Sequence, residues 1–266
     1  MTVVVETQSL TRQFDGRIAV DALTVSVEGG EIYALLGPNG AGKTTTIKML
    51  TTLLPPTSGS ARVAGFDIVR QASDVRRAIG YVPQLISADG MLTGYENLLI
   101  FAKLYDIPRG QRQARIQDAL SFMGLSDAAN RLVNQYSGGM IRRLEIAQSM
   151  LHQPKVLFLD EPTGGLDPIA RKAVWDHLLQ LRDRYGTTVI FTSHLMDEAD
   201  AFCSRLAIMH RGKVVVNDTP AGLKASINQP GATLDDVFIR YAGDALEQGD
   251  SFRETARLRS AARRLG

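Results

Sequence analysis

GPNGAGKTTT, residues 37 to 46, is the stretch that decides the fold of this 266-residue chain. It follows the apolar run EIYALL and precedes IKMLTTLL, which predict a short strand and a helix. The phosphate-binding template G-x-x-x-x-G-K-[ST], which requires those flanks, is matched by Gly37, Gly42, Lys43 and Thr44. Glycines allow a positive φ and close approach, so successive N–H groups can converge on a polyphosphate at the helix N-terminus. An ordinary glycine-rich turn is the alternative, and the full match with its flanks disfavours it.

The template also assigns roles to two side chains of the loop. We expect the ammonium of Lys43 to reach the β- and γ-phosphates and the hydroxyl of Thr44 to hold Mg²⁺. The loop predicts phosphate binding, but it does not identify the reaction.

Composition excludes several classes of protein. With 44% hydrophobic residues the chain can bury a full core, and 30 Lys and Arg against 28 Asp and Glu leave a net charge of +2. That balance does not favour nucleic acid as the main partner. Cys203 is the sole cysteine, which excludes an intramolecular disulfide and a Cys-based zinc site. The sequence shows neither a long apolar run nor a signal peptide, so we expect a cytoplasmic protein whose membrane partner is another chain.

Periodicity divides the chain into a sheet-forming part and a helical part. Short strands precede the loop, and the helix after it is predicted to run to about Leu54, before Pro55 and Pro56. Residues 86–152 show helical periodicity and are interpreted as an inserted helical subdomain. The later runs VLFLD, TVIFTS and RLAIMH predict buried strands of a parallel sheet. We therefore expect an α/β fold.

KVLFLDEP, residues 155–162, places two carboxylates at the end of an apolar strand. Asp160 is suited to bind Mg²⁺ through water, and Glu161 to orient or deprotonate an attacking water. Two carboxylates that only begin a loop are the alternative interpretation, which is weaker beside a phosphate-binding loop.

A second anion site is predicted where Ser137, Gly138 and Gly139 precede a helix, because its N–H groups and positive dipole end would face outward. One ATP does not need two distant helix N-termini unless one of them belongs to a second molecule. A serine N-cap with glycines in a turn is the structural alternative.

In this order the motifs resemble those of the nucleotide-binding subunit of ATP-binding cassette (ABC) transporters, from about residue 3 to residue 220. The resemblance implies a P-loop NTPase (RecA-like) core with an N-terminal antiparallel β subdomain and an inserted helical subdomain. It implies ATP binding by Phe14, by the Walker A residues Gly37, Pro38, Asn39, Gly40, Ala41, Gly42, Lys43, Thr44 and Thr45, and by Ser137, Gly138, Gly139 and the D-loop residue Asp167. It implies a catalytic set of Glu161, His194, Lys43 and Gln84, and a Mg²⁺ set of Thr44, Gln84 and Asp160.

The chain departs from the family pattern in its signature motif. That motif usually reads LSGGQ, and here Tyr136 and Met140 stand at its two ends. The central serine and glycines, which would meet phosphate, are retained.

His152, His177 and His210 are predicted to be surface or packing residues, in contrast to the switch residue His194.

Between the motifs, the sequence is most similar to drug-resistance-type ATPases paired with ABC-2 permeases. The resemblance implies a dimer of ATPase subunits at the cytoplasmic face of the membrane, driving export of a hydrophobic drug, lipid or glycan. An importer ATPase and a non-transport ABC protein of DNA repair or translation are the alternatives. The apolar helix over residues 92–105 is expected to contact the permease, and a fully buried core helix is the alternative.

The predicted ABC ATPase domain covers residues 1–220, and residues 221–266 form a tail with weak helical stretches. Its end, residues 251–266, carries a local net charge of +4, from five Arg and one Glu. A solvated chain end and an attraction to anionic lipid are the two interpretations of that basic end.

Overall fold

The computed structural model describes residues 2–242. In chain order its strands are β1 (Val3–Phe14), β2 (Arg17–Leu23), β3 (Ser26–Glu28), β4 (Ile32–Leu36), β5 (Ser58–Val63), β6 (Phe66–Asp67), β7 (Ile79–Val82), β8 (Val156–Asp160), β9 (Thr188–Ser193), β10 (Arg205–His210) and β11 (Lys213–Asp218). They form two sheets. The first has the order β2-β1-β5-β6 with β3 paired to β1, and all its pairs are antiparallel. This is the expected N-terminal antiparallel subdomain.

The second sheet contains the strands that lead into the predicted motifs. Its order is β11-β10-β4-β9-β8-β7, and every pair is parallel except β10 with β11. Strands β4, β8 and β9 are buried along their whole lengths, as continuous apolar runs predict. Because β4, β9, β8 and β7 are neighbours and parallel, the segments after them meet at one edge of the sheet, where ligands of open α/β sheets bind.

The helices are α1 (Lys43–Leu50), α2 (Ala72–Ala78), α3 (Gly94–Leu104), α4 (Arg109–Phe122), α5 (Gly138–Met150), α6 (Pro168–Tyr185), α7 (Met196–Phe202), α8 (Pro220–Ser226) and α9 (Leu234–Ala242). Two single-turn 3₁₀ helices, Ser126–Ala128 and Val133–Gln135, lie between α4 and α5. Helices α3 to α5 are inserted between β7 and β8, which are adjacent in the sheet. The α/β fold with a helical insertion is therefore confirmed.

Helix α1 ends four residues earlier than expected, at Leu50 rather than about Leu54. Thr52 has a positive φ of 63°, and the N–H groups of Leu53 and Leu54 both donate to the carbonyl of Lys48. The left-handed turn, and not the two prolines that follow, terminates this helix.

The central sheet separates two hydrophobic cores. Along β4, Tyr33 and Leu35 pack on the side of the antiparallel sheet and α1, whereas Ile32, Ala34 and Leu36 face the opposite core. Successive side chains of a strand point to opposite faces, so one apolar run supplies both cores. Trp175 of α6 is the largest fully buried side chain of the second core.

The two C-terminal helices pack on that second core through Leu223, Leu234, Val237 and Phe238. The predicted boundary at residue 220 thus marks the end of the motifs and not the end of the packed chain. The basic end at 251–266 lies outside the described residues. In residues 2–242, no helix combines the length and the apolar character that crossing a membrane requires.

Candidate active site

The phosphate-binding loop leaves the buried strand β4 and turns into α1 with glycines where the backbone requires them. Gly37 has a φ of 148° and Gly42 a φ of 104°, both in the region that favours glycine. A Cβ at Gly37 would lie 2.3 Å from the carbonyl oxygen of Met209, and one at Gly42 would lie 2.5 Å from that of Ala19. The loop therefore packs directly on neighbouring backbone, which fixes its shape.

Lys43 is the first residue of α1 and is 5% exposed. Its Nζ donates to the carbonyls of Gly37, at 2.8 Å, and Pro38, at 3.1 Å, and lies 3.8 Å from Oε1 of Glu161. Burial lowers the pKa of Lys43, and the nearby charges of Glu161 and Asp160 oppose that shift. The ammonium thus lies in a partly desolvated pocket where an anion would interact with it strongly.

Asp160 ends β8 and is 1% exposed. Its Oδ1 accepts from the hydroxyl of Thr44, at 3.1 Å, and from that of Thr192 on the adjacent strand β9, at 2.5 Å. The two residues predicted to share a cation are therefore in direct contact. A buried carboxylate beside a threonine hydroxyl provides the hard oxygen ligands that Mg²⁺ prefers.

Glu161 contacts three other predicted catalytic residues. Its Oε1 lies 3.8 Å from Nζ of Lys43 and 3.3 Å from Nδ1 of His194, and its Oε2 accepts from the amide of Gln84 at 3.2 Å. The backbone of Glu161 has a φ of 48°, and its N–H donates to the hydroxyl of Thr192. A non-glycine residue in this conformation is strained, and such strain concentrates at functional sites.

Beside these contacts lies an open cleft of about 1000 Å³, which Asp160 and His194 do not line. The predicted residues that line it are Phe14, residues 38–45, Gln84 and Glu161. Phe14 is 40% exposed, and the guanidinium of Arg12 lies 4.5 Å from its ring centroid. Phe14 lines the cleft and Arg12 does not, and the contact of the Phe14 ring with adenine stays a prediction.

Sequence reasoning missed five residues of the same cleft: Arg17, Ile18, Ala19, His210 and Arg211. His210 was assigned to surface or packing. Both of its ring nitrogens are buried without a hydrogen-bond partner among the described residues, and burial lowers its pKa. Only the pairing of β10 beside β4 brings it to the loop, so no local pattern could have identified it.

The predicted second anion site lies away from this cleft. Ser137 is the N-cap of α5 and accepts from the N–H of Met140 at 3.3 Å, while Gly139 packs so closely that a Cβ would lie 2.7 Å from that of Ala170. Ser137 and Gly138 are exposed, and neither borders the cleft. Both the N-cap alternative and an outward-facing anion site are compatible with this arrangement.

Two acidic residues make contacts that explain their positions. Asp167 is the N-cap of α6 and accepts from the N–H groups of Ile169 and Ala170, both at 2.9 Å. Its contact with nucleotide stays a prediction. Glu198, in the first turn of α7, is buried and accepts from the hydroxyls of Thr163 and Ser193.

The donor set fits Mg²⁺ bound together with phosphate better than a metal held by protein alone. In the described part of the chain there is no cluster of three or more His, Cys, Asp or Glu residues that could hold a metal ion. Thr44, Asp160 and the amide oxygen of Gln84 provide a few oxygen ligands at the loop, and Mg²⁺ is usually bound by one or two carboxylates plus substrate phosphates.

Comparisons with known proteins identify a matching family model and similar sequences. The family model described as "ABC transporter" matches residues 20–164. The chain is 45% identical over 226 residues to the daunorubicin/doxorubicin resistance ATP-binding protein DrrA of Streptomyces peucetius, covering 85% of this chain and 68% of that protein. It is 40% identical over 244 residues to the probable multidrug ABC transporter ATP-binding protein YbhF of Escherichia coli (strain K12), covering 91% of this chain but 42% of that longer protein.

The fold has a counterpart among solved structures. A structure titled as the ATP binding subunit of an ABC transporter superposes with a TM-score of 0.80 at 26% sequence identity, covering 90% of this chain and 99% of that one.

Proposed function

This chain belongs to the ABC transporter family, and we propose that it is the subunit that binds and hydrolyses ATP to drive export of a hydrophobic drug, lipid or glycan through a separate membrane permease. The observation that carries the proposal is the contact of Glu161 with Lys43, Gln84 and His194 beside the phosphate-binding loop. Relatives named for drug resistance and multidrug transport support export, and they do not favour an importer or a non-transport role.

Each residue of the site has its own role in the proposed reaction. The loop N–H groups and Lys43 bind the β- and γ-phosphates and neutralise the charge that develops there. Glu161 accepts the proton of the attacking water, and Gln84 and His194 orient the carboxylate and the γ-phosphate. Mg²⁺, when bound through Thr44, Asp160 and Gln84, supplies further neutralisation of the phosphate charge.

The working unit is a dimer of ATPase subunits, because one chain holds only half of each site. The phosphate-binding loop and the Ser137 loop lie in different places on the same chain. In a two-fold dimer, the positive N-terminus of α5 from one chain can face a nucleotide bound to the loop of its mate. Asp167 and Gly138 would then lie beside that nucleotide as well.

The permease partner is of the ABC-2 type and binds beside the segment after Gln84, which places the subunit at the cytoplasmic face of the membrane. The large apolar side chains exposed between Gln84 and Tyr105 are Leu85 (81%), Ile86 (62%), Met91 (75%), Ile100 (43%) and Leu104 (70%). A surface of this kind is typical of an interaction site. Helix α3 uses its other side for the core, since Leu98 and Ala102 are fully buried.

Co-expression with an ABC-2 permease, sought first in the reading frame next to the gene, tests the function. The pair is purified from membranes, reconstituted into vesicles and supplied with ATP, and uptake of a fluorescent anthracycline is measured in vesicles whose ATPase faces outward. We expect ATP-dependent accumulation that the Glu161→Gln variant loses. ATP hydrolysis without accumulation of drugs, lipids or glycans would contradict export, and absence of hydrolysis would contradict the ATPase assignment itself.

A further inference from the structure

Helix α5, which begins at the Ser137 loop, carries an ion pair that is nearly inaccessible to solvent. The side chain of Arg142 is 8% exposed and that of Glu145 is 1% exposed, and Nη1 of the arginine lies 3.0 Å from Oε2 of the glutamate. Burying two charges requires strong compensation, because each loses its hydration. The hydrogen bonds that Arg142 and Glu145 make to residues 83–87 contribute to this compensation.

The guanidinium of Arg142 binds the backbone at Gln84. Its Nη1 donates to the carbonyl of Pro83 at 2.8 Å and its Nη2 donates to the carbonyl of Gln84 at 3.1 Å. The planar fork of arginine fixes two acceptors at once, which a lysine ammonium cannot do with the same geometry. Arg142 thus fixes the backbone of Gln84, whose side-chain amide donates to Glu161.

Glu145 binds the same segment three residues further along. Its Oε1 accepts from both the N–H and the hydroxyl of Ser87, the latter at 2.9 Å. Charge-assisted hydrogen bonds of this kind are stronger than neutral ones. The ion pair therefore holds residues 83–87 at both ends, although the chain has no regular secondary structure there.

A third polar residue of α5 extends the contact to the predicted docking segment. The amide of Gln148 donates to Oδ1 of Asn97 at 3.3 Å, and Asn97 exchanges hydrogen bonds of 2.9 Å with the backbone of Asp89. Arg142 and Glu145 thus bind the segment between β7 and α3 directly, and Gln148 reaches it through Asn97 of α3. One helix connects the Ser137 loop, the catalytic glutamine and the exposed apolar surface.

We propose that Arg142 and Glu145 are positioning residues, which hold the backbone of Gln84 so that its amide reaches Glu161. The proposal rests on the ATPase function proposed above. A buried ion pair contributes little net stability compared with apolar residues of similar volume, so its role here is to fix one conformation of an irregular segment. Misplacing a group near the reacting atoms by about 1 Å can lower a rate about 100-fold.

The variant that isolates this role is Arg142→Met/Glu145→Gln. It removes both charges together, so that no unpaired charge stays buried, and the glutamine still offers Ser87 an acceptor. We expect kcat for ATP hydrolysis to fall about 10- to 100-fold while the Kd for ATP changes less than about threefold, because the phosphate-binding loop is untouched. Arg142→Lys, which keeps the charge, should recover part of the lost kcat.

Arg143→Met is the matched control. This neighbouring arginine also donates to a backbone carbonyl, that of Met123 at 2.8 Å, but it does not contact residues 83–87. We expect it to leave kcat near the parental value. Thermal unfolding of every variant separates a folding defect from a positioning defect, and Arg142→Lys retains the ion pair should the double variant unfold.

The decisive measurement repeats the substitutions in a Gln84→Ala background. If the pair acts through Gln84, Arg142→Met/Glu145→Gln should cause no further loss of kcat there, whereas independent effects would multiply. Parental kcat in the folded double variant, or a full further loss in the Gln84→Ala background, would overturn the positioning role. Absence of hydrolysis by the parent chain would instead refute the ATPase function.

Discussion

The amide nitrogen of Gln84 lies 3.2 Å from Oε2 of Glu161, although 77 residues separate them in the sequence. The contact joins the segment after β7 to the segment after β8, two parallel strands that pair directly. The insertion of α3 to α5 lies between them in the sequence. Gln84, which comes directly before the exposed apolar segment in the sequence, therefore contacts the proposed catalytic carboxylate of Glu161.

Glu161→Gln tests the proposed general base. The amide cannot accept the proton of the attacking water at neutral pH, so turnover should fall about 10²- to 10⁴-fold while ATP binding is retained. Radiolabelled phosphate release and equilibrium binding of a fluorescent ATP analogue measure the two quantities. Hydrolysis at the parental rate would refute the assignment.

Lys43→Ala should weaken ATP binding itself, because it removes the buried cation that we propose binds the phosphates. We expect the Kd for ATP to rise at least about tenfold, in line with the loss of a charge-assisted contact. Lys48→Ala is the control, since Lys48 lies on the same helix but does not line the cleft. Equal affinities of the two variants would count against the role of Lys43.

Mixing two inactive chains tests the dimer. Lys43→Ala disables the phosphate-binding loop, and Ser137→Arg disables the opposite loop at an exposed position. In a mixed dimer both defects fall in one site and the other site is intact, so mixing equal amounts should restore about a quarter of the parental activity. Each variant alone should stay inactive. No recovery on mixing would refute sites shared between chains.

Cysteine crosslinking tests the docking surface. Met91→Cys places a thiol on the exposed apolar segment, and a thiol-reactive crosslinker in membrane vesicles should join it to the permease. Leu53→Cys is the matched control, because Leu53 is also an exposed apolar residue, at 59%, but lies beyond α1. Adducts of equal yield from both positions, or none from Met91→Cys, would contradict docking at this surface.

The burial of His152 makes the stability of the folded chain depend on pH. Its ring stacks on Tyr105 with centroids 3.8 Å apart, its Nε2 bonds the carbonyl of Ile79, and burial lowers its pKa from 6.5. The unfolded chain therefore binds a proton at a higher pH than the folded chain. The contribution of the neutral His152 side chain to stability is fully present above the pKa that this histidine has in the unfolded chain. It is lost as the pH falls below that pKa.

The test substitution is His152→Gln, which keeps an N–H donor for Ile79. Urea unfolding at about pH 7.5 and about pH 5 measures the change in free energy of unfolding. His152→Gln should reduce the loss of stability on acidification relative to the parent. A loss equal to that of the parent would show that His152 does not titrate on unfolding.

The sequence by itself determined the phosphate-binding loop, the strands that lead into the site and the family. These features are local, because a glycine template, an apolar strand and a helix start each depend on consecutive residues. The residues of the carboxylate pair, Asp160 and Glu161, could be identified for the same reason. Asp160 ends β8 and Glu161 follows it, and the run of apolar residues in that strand predicts its burial.

Only the tertiary structure decided which of these residues touch and what else surrounds them. His210 reaches the cleft because β10 pairs with β4, and Arg142 reaches Gln84 because α5 packs beside the end of β7. The early end of α1 likewise depends on a left-handed residue, Thr52, that helical periodicity does not reveal. Contacts such as those of His210 and Arg142 depend on which distant segments the folded core makes neighbours, and a local pattern of residues does not contain that information.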